Sequence, residues 1–183
     1  MAALSRFLLL IAALTLGGKA MAADLENTLY LDVPAGRVVI EMRPDLAPAT
    51  VAQIKALVRQ GFYDGIVFHR VIDGFMAQTG DPKGDGTGGS GHKLKAEFSG
   101  EKHVRGVVSM ARAPDPNSAD SQFFIMFAPA PSLDGSYTIW GKVTSGMEYI
   151  DKIKKGDSAR NGSVTNPDKI IKMQVAADAE KKS

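Results

Sequence analysis

The sequence predicts a mainly β fold, a barrel plugged by two helices, on three observations. Short apolar runs recur along most of the chain, separated by segments rich in Gly, Pro, Asp and Asn, which is the punctuation of an all-β sandwich or barrel. Helical periodicity shows in only two stretches, too few to cover a large parallel sheet but enough to close a barrel's ends. No internal repeat or linker divides the chain, and 183 residues suit one domain with its own core.

The elements follow in order. In TLYLDV, Leu29, Leu31 and Val33 alternate with Tyr30 and Asp32, the period of a half-buried strand. Pro34-Ala35-Gly36 turns the chain and RVVIEM resumes strand character, so residues 28–42 read as a hairpin. In PATVAQIKALVRQG the period changes: Val51, Ile54, Leu57 and Val58 share a helical face, with Thr50 as the expected cap and Gly61 as the stop. Strand-like runs follow at IVFHRVI, GVVSMA, SQFFIMF and YTIWGKV, the last carrying the lone Trp140 as a core residue. SGMEYIDKIKKG predicts a second short helix with Met147, Ile150 and Ile153 on one side and Gly156 as the stop. KIIKMQVA reads as a last strand and DAEKKS as a solvated tail.

Residues 1–22 stand apart as a cleavable signal peptide. Arg6 supplies a positive n-region, FLLLIAALTL is an apolar core of 10 residues, and Ala20-Met21-Ala22 fits the A-x-A cleavage pattern. That core is too short to span a bilayer. The mature chain, residues 23–183, is then one domain. Removing Arg6 and Lys19 leaves 20 basic against 20 acidic residues. A balance near zero gives no electrostatic reason for a nucleic-acid or anionic-membrane partner. With no Cys, a disulfide framework, a thiol nucleophile and a thiolate metal site are excluded.

One segment resists a purely structural reading. FHRVIDGFMAQTGD, from Phe68 to Asp81, mixes a permanent cation, large apolar side chains and an amide with glycines. Behind it come GTGG (Gly86 to Gly89), VSMAR (Val108 to Arg112), SQFFI (Ser121 to Ile125), LDG (Leu133 to Gly135) and WGKVTSGMEYIDKI (Trp140 to Ile153). In this order and near this spacing the set resembles the cyclophilins, the cyclosporin-type peptidyl-prolyl cis-trans isomerases, over roughly residues 27–176. The resemblance implies a closed eight-stranded antiparallel β-barrel capped by two α-helices, with the substrate groove on the outer wall.

It also implies a site. Arg70 matches the family's catalytic arginine, and Gln78 the residue that orients it. Phe75, Met76, Phe124 and Leu133 match the proline pocket. Met110, Ala111, Arg112 and Gln122 match the stretch along which an extended peptide lies. His69 adjoins the arginine and Tyr137 matches a groove-edge position. Two positions depart from the family pattern. Ser132 stands where the better-known animal members carry a tryptophan that helps hold cyclosporin, and Arg112 stands where many carry Asn.

The chemistry implied needs no metal, cofactor or proton shuttle. Amide resonance opposes rotation by roughly 18–20 kcal/mol, and a donor aimed at the prolyl nitrogen favours the twisted state over the planar one. The expected role is a periplasmic isomerase that helps exported proteins fold. Its expected partners are proline-containing unfolded or extended polypeptides; nucleic acid, stable membrane association after cleavage and a stable oligomer are not expected. A rival reading is a non-catalytic proline-peptide-binding chaperone module on the same barrel. A hydrolase built on His69 with Asp81 or Asp134 lacks a nucleophile-elbow serine. His92 and His103 read as lone loop histidines.

Overall fold

The computed structural model describes residues 25–181; the signal-peptide segment, residues 1–22, lies outside the described residues. Strands β1 (Thr28–Val33) and β2 (Gly36–Met42) form the expected hairpin, and helix α1 (Pro48–Arg59) follows. Next come β3 (Arg70–Ile72), β4 (Met76–Thr79), β5 (Val107–Met110), β6 (Phe123–Met126) and β7 (Ile139–Ser145). Helix α2 (Met147–Asp151), β8 (Lys172–Val175) and α3 (Ala176–Glu180) complete the chain. All eight strands belong to one antiparallel sheet, ordered β3-β4-β6-β5-β7-β2-β1-β8.

The expected closed barrel is corrected: the sheet curls but stays open between its edge strands, β3 and β8. Only irregular chain crosses the gap, through an isolated bridge from Val67 to Lys169 and hydrogen bonds such as Phe68 N–H to the Asp168 carbonyl (2.9 Å). A ladder cannot continue there because Pro167 has no N–H to donate, and Asn166 turns the chain with φ at +51°.

The concave side is the main core. Val51, Ile54, Leu57 and Val58 of α1 are buried on it as their period predicts, each worth about 1.5–3 kcal/mol relative to exposure. Leu29, Leu31, Phe123, Ile125 and Trp140 meet them from the strands. Thr50 does not cap this helix. Its N-cap is Ala47, which has no polar side chain to offer. Glu97, far along the chain, takes the role: its Oε1 accepts from Ala49 N–H (2.9 Å) and its Oε2 from Thr50 N–H (2.8 Å) and the Thr50 hydroxyl (2.7 Å). The helix start thus carries a carboxylate where exposed N–H groups and the dipole favour one.

Two further expectations change. The second helix ends at Asp151 rather than near Gly156, so Ile153 is buried from the segment beyond it. The tail expected from Asp178 onward starts inside α3, and Asp178 itself accepts from Arg59 of α1 (2.8 Å). The described residues therefore hold three helices, not two. None is long and apolar enough to cross a membrane.

Candidate active site

The convex face of β3, β4 and β6 assembles the site by register. Arg70 pairs with Gln78, Gln78 with Phe124, and Phe124 with Ser109 of β5. Paired residues on neighbouring antiparallel strands point to the same side, so cation, amide and aromatic ring stand in one row. Two positions along, and so on the same face, Ile72 pairs with Met76 and Met76 with Met126. A second apolar cluster forms here from Met76, Val107, Phe124, Met126 and Ile139, with Phe75, Leu133 and Tyr137 packed against it.

A cleft of about 180 Å³ opens on this cluster. Phe75, Met76, Phe124 and Leu133 give it apolar walls; Arg70, Gln78, Ala111, Arg112 and Tyr137 complete the lining. Leu133 arrives on a single 3-10 turn, Pro131–Leu133, with proline at its start. Tyr137 meets Phe124 edge-on at 5.9 Å, and the Arg112 guanidinium lies over the Tyr137 ring at 4.5 Å. Arg112 also donates to the carbonyls of Ser136 (2.8 Å) and Ala113 (3.0 Å), so it stands folded back as a fixed wall.

Arg70 is half-buried and held on two sides. Its Nη1 donates to Gln78 Oε1 (3.1 Å), while Nε and Nη2 donate to the carbonyl and side-chain oxygens of Asn161 (3.0 Å each). Gln78 Nε2 donates in turn to Gln122 Oε1 (2.9 Å), and Gln122 Nε2 to the carbonyls of Gly86 (3.0 Å) and Gly88 (2.8 Å). This chain of amides ties the guanidinium to the glycine-rich loop. Asp81 steadies that loop by accepting from the N–H groups of Lys83 (2.8 Å), Asp85 (3.1 Å) and Gly86 (2.6 Å). Gln122 lines an adjoining cleft of about 290 Å³ rather than the apolar one. Burial lowers the Arg70 value from its ordinary range, yet a guanidinium keeps its charge at any physiological pH.

One expected site residue faces elsewhere, and another stands beside the apolar cleft rather than in it. Met110 is 1% exposed and belongs to the concave core, because it sits out of phase with Ser109 on β5; only its neighbours Ala111 and Arg112 reach the cleft. His69 is buried beneath Gly86, its ring nitrogens without protein partners; it lines, with Arg70, Gln78 and Asn161, a polar cleft beside the apolar one. Burial pushes its imidazole below the ordinary value, against the pull of Asp81.

His103 is not the idle loop residue its sequence context suggests. It is 1% exposed, with Nδ1 3.2 Å from Asp134 Oδ1 and Nε2 3.1 Å from Ser109 Oγ. Its own N–H donates to Asp134 as well (2.8 Å), so it fastens the segment bearing Leu133 and Tyr137 to β5. A serine, histidine and carboxylate therefore stand in line. Ser109 is wholly buried and donates to the Thr138 carbonyl (2.9 Å), so no substrate reaches it and the line is a tether, not a nucleophile. Asn161 was the other omission, since a bare Asn-Gly pair reads only as a turn.

The cleft offers an apolar slot and a half-buried, fixed cation with N–H donors to spare, and no Ser, Thr or Lys lines it. Comparison with known proteins agrees. The model of the cyclophilin type peptidyl-prolyl cis-trans isomerase family matches residues 28–175. A probable peptidyl-prolyl cis-trans isomerase of Brucella suis is 59% identical over 173 residues, 88% of each chain. Peptidyl-prolyl cis-trans isomerase B of Bacillus subtilis is 46% identical over 135 residues, 73% of this chain and 94% of its own. Among solved structures, a cyclophilin from Hirschia baltica superposes with a TM-score of 0.76 at 29% identity, over 85% of this chain and 76% of that one. A Cryptosporidium parvum cyclophilin, solved in the presence of the dipeptide Ala-Pro, gives 0.74 at 30% identity over 81% of this chain and 98% of that one.

Proposed function

The chain belongs to the cyclophilin-type peptidyl-prolyl cis-trans isomerases, and from that premise we propose that Arg70 and the slot beside it isomerise X–Pro bonds of exported proteins and so assist their folding. The observation that carries this is Arg70 held at the mouth of a cleft walled by Phe75, Met76, Phe124 and Leu133. Uncatalysed exchange of an X–Pro bond takes tens to hundreds of seconds, slow enough to limit folding. The apolar walls take the proline ring, with Met76 as an adaptable surface. As the bond twists, resonance is lost and the prolyl nitrogen gains a localised lone pair. An Arg70 N–H donates to it more strongly than to the planar amide, which is the difference that lowers the barrier. Gln78 holds the guanidinium and, with Ala111 and Arg112, lies where the flanking peptide backbone passes. That the Cryptosporidium relative was studied with Ala-Pro supports proline-containing peptides as the substrate class here.

The test is isomerisation of an X–Pro peptide by the chain starting at Ala23. Arg70→Ala is expected to lower kcat/KM by about 10²–10³-fold without moving the melting temperature; undiminished activity would sink the assignment. A periplasmic location is proposed on the Arg6, apolar-core and Ala20-Met21-Ala22 pattern. Fractionation of a double-membraned bacterium expressing the precursor should find a shortened chain in the osmotic-shock fraction; full-length protein in the cytoplasm would refute export.

A further inference from the structure

Arg70 lies on β3, an edge strand of only three residues, so the sheet supports it from one side alone. The loop from Gly156 to Val164 supplies the other side. Gly156 N–H donates to the Val71 carbonyl (2.8 Å), Val71 N–H to the Gly162 carbonyl (2.8 Å), and Val164 N–H to the His69 carbonyl (3.1 Å). An isolated bridge pairs Arg70 with Ser163. The loop is also closed on itself: Asp157 N–H donates to Ser163 (3.0 Å), and Gly162 N–H back to Asp157 (2.8 Å). At Gly162, φ is +78° and a Cβ would collide with Ile72, so only glycine lets the loop lie this close to β3.

Within this loop Asn161 has φ of +53°, a left-handed conformation that Asn tolerates better than most residues. That conformation presents both of its oxygens to one guanidinium, 91 positions earlier in the chain. An arginine side chain carries donors only, so the Asn161 amide must turn its oxygen, not its nitrogen, toward Arg70. Three N–H donors of Arg70 are thereby engaged, two by Asn161 and one by Gln78, and the rest stay uncommitted.

We propose that Asn161 is a positioning residue for the isomerase reaction, holding Arg70 from the side opposite Gln78 so that its free donors are aimed before substrate arrives. The inference rests on the assignment of Arg70 above. Without the Asn161 side chain, Nη2 loses its anchor while Nε keeps only the backbone carbonyl, and misplacement by about 1 Å can cost a reaction up to 100-fold. The backbone half of the clamp survives any substitution; the side-chain half does not.

The experiment compares Asn161→Gly, which suits the positive φ and deletes the side-chain acceptor, with Asn161→Asp, which keeps an oxygen in its place. Exchange NMR on an X–Pro peptide separates kcat from KM, at enzyme concentrations high enough to follow slow variants. Asn161→Gly should lower kcat about tenfold at nearly constant KM, with an unchanged melting temperature, and Asn161→Asp should stay within about threefold of the parent. In an Arg70→Ala background Asn161→Gly should change nothing further, because the residue it positions is gone. The inference is overturned if Asn161→Gly matches the parent, or if it costs the same factor with and without Arg70. Arg70→Ala at full activity would instead overturn the role of Arg70, whatever Asn161 does.

Discussion

In the β1–β2 hairpin the side chains alternate as in most half-buried sheets: Leu29, Leu31 and Val33 face the core, while Tyr30, Asp32 and Arg37 face outward and polar. In β6 they alternate too, but every residue is buried. Phe123 and Ile125 pack into the concave core, and Phe124 and Met126 into the separate cluster on the convex face. A sheet surface that should meet water carries a second apolar layer in one place, and there Arg70 and the cleft are found. Leu133 and Tyr137 roof part of that layer, and the cleft opens beside them.

The sharpest way to break this comparison is to truncate the two neighbouring phenylalanines. Phe123→Ala should cost about 3–5 kcal/mol of unfolding free energy, measured by urea titration, while the protein that remains folded keeps its turnover. Phe124→Ala opens a site that water can already reach, so it should lose less stability but most of its kcat/KM. Equal losses of both quantities in the two variants would erase the distinction.

Acid provides the next test, because two histidines are buried. Burial lowers the folded-state values of His103, despite Asp134, and of His69, despite Asp81. The unfolded chain, with imidazoles near about 6.5, therefore binds these protons first. The stability is fully present above that value and is lost as the pH falls through the folded-state values. The melting temperature should drop steadily below about pH 6.5, and His103→Gln should flatten part of that slope. A melting temperature constant from neutral pH down to the carboxylate range would count against it.

Smaller effects sharpen the comparison at its borders. Glu97→Ala strips the borrowed cap from the helix that closes the concave core and should cost about 1–2 kcal/mol; a change below the error of the titration would mean that water caps it equally well. On the polar stretch of the convex face, Asp32→Ala breaks an exposed pair with Arg37 (2.7 Å) and should cost less than about 1 kcal/mol. A larger loss would show that this outer surface, too, holds up the fold.

Much of this was legible beforehand. The hairpin, the first helix and its buried face, and the grouping of Arg70, Gln78, Phe75, Met76, Phe124 and Leu133 all came from local pattern or motif. The failures share a cause. Thr50 looks like a cap because a cap is normally local, and nothing near it announces Glu97. Met110 was placed in the cleft because its neighbours belong there, and a motif does not state strand phase. His103 and Asn161 sit in polar loops whose sequences suggest only turns, yet each is a long-range tether, one to the wall of the slot and one to the arginine.

The sequence by itself determined the class of fold, the strand-forming segments and the family, because periodicity, turn chemistry and ordered motifs are properties of neighbouring residues. Tertiary structure alone decided that the sheet stays open at β3, that β6 has two buried faces, and that Arg70 is held from both sides. Those depend on which distant segments meet: a proline that cannot donate to a ladder, a glycine thin enough to lie against an edge strand, and an asparagine that finds its partner only once the chain has curled.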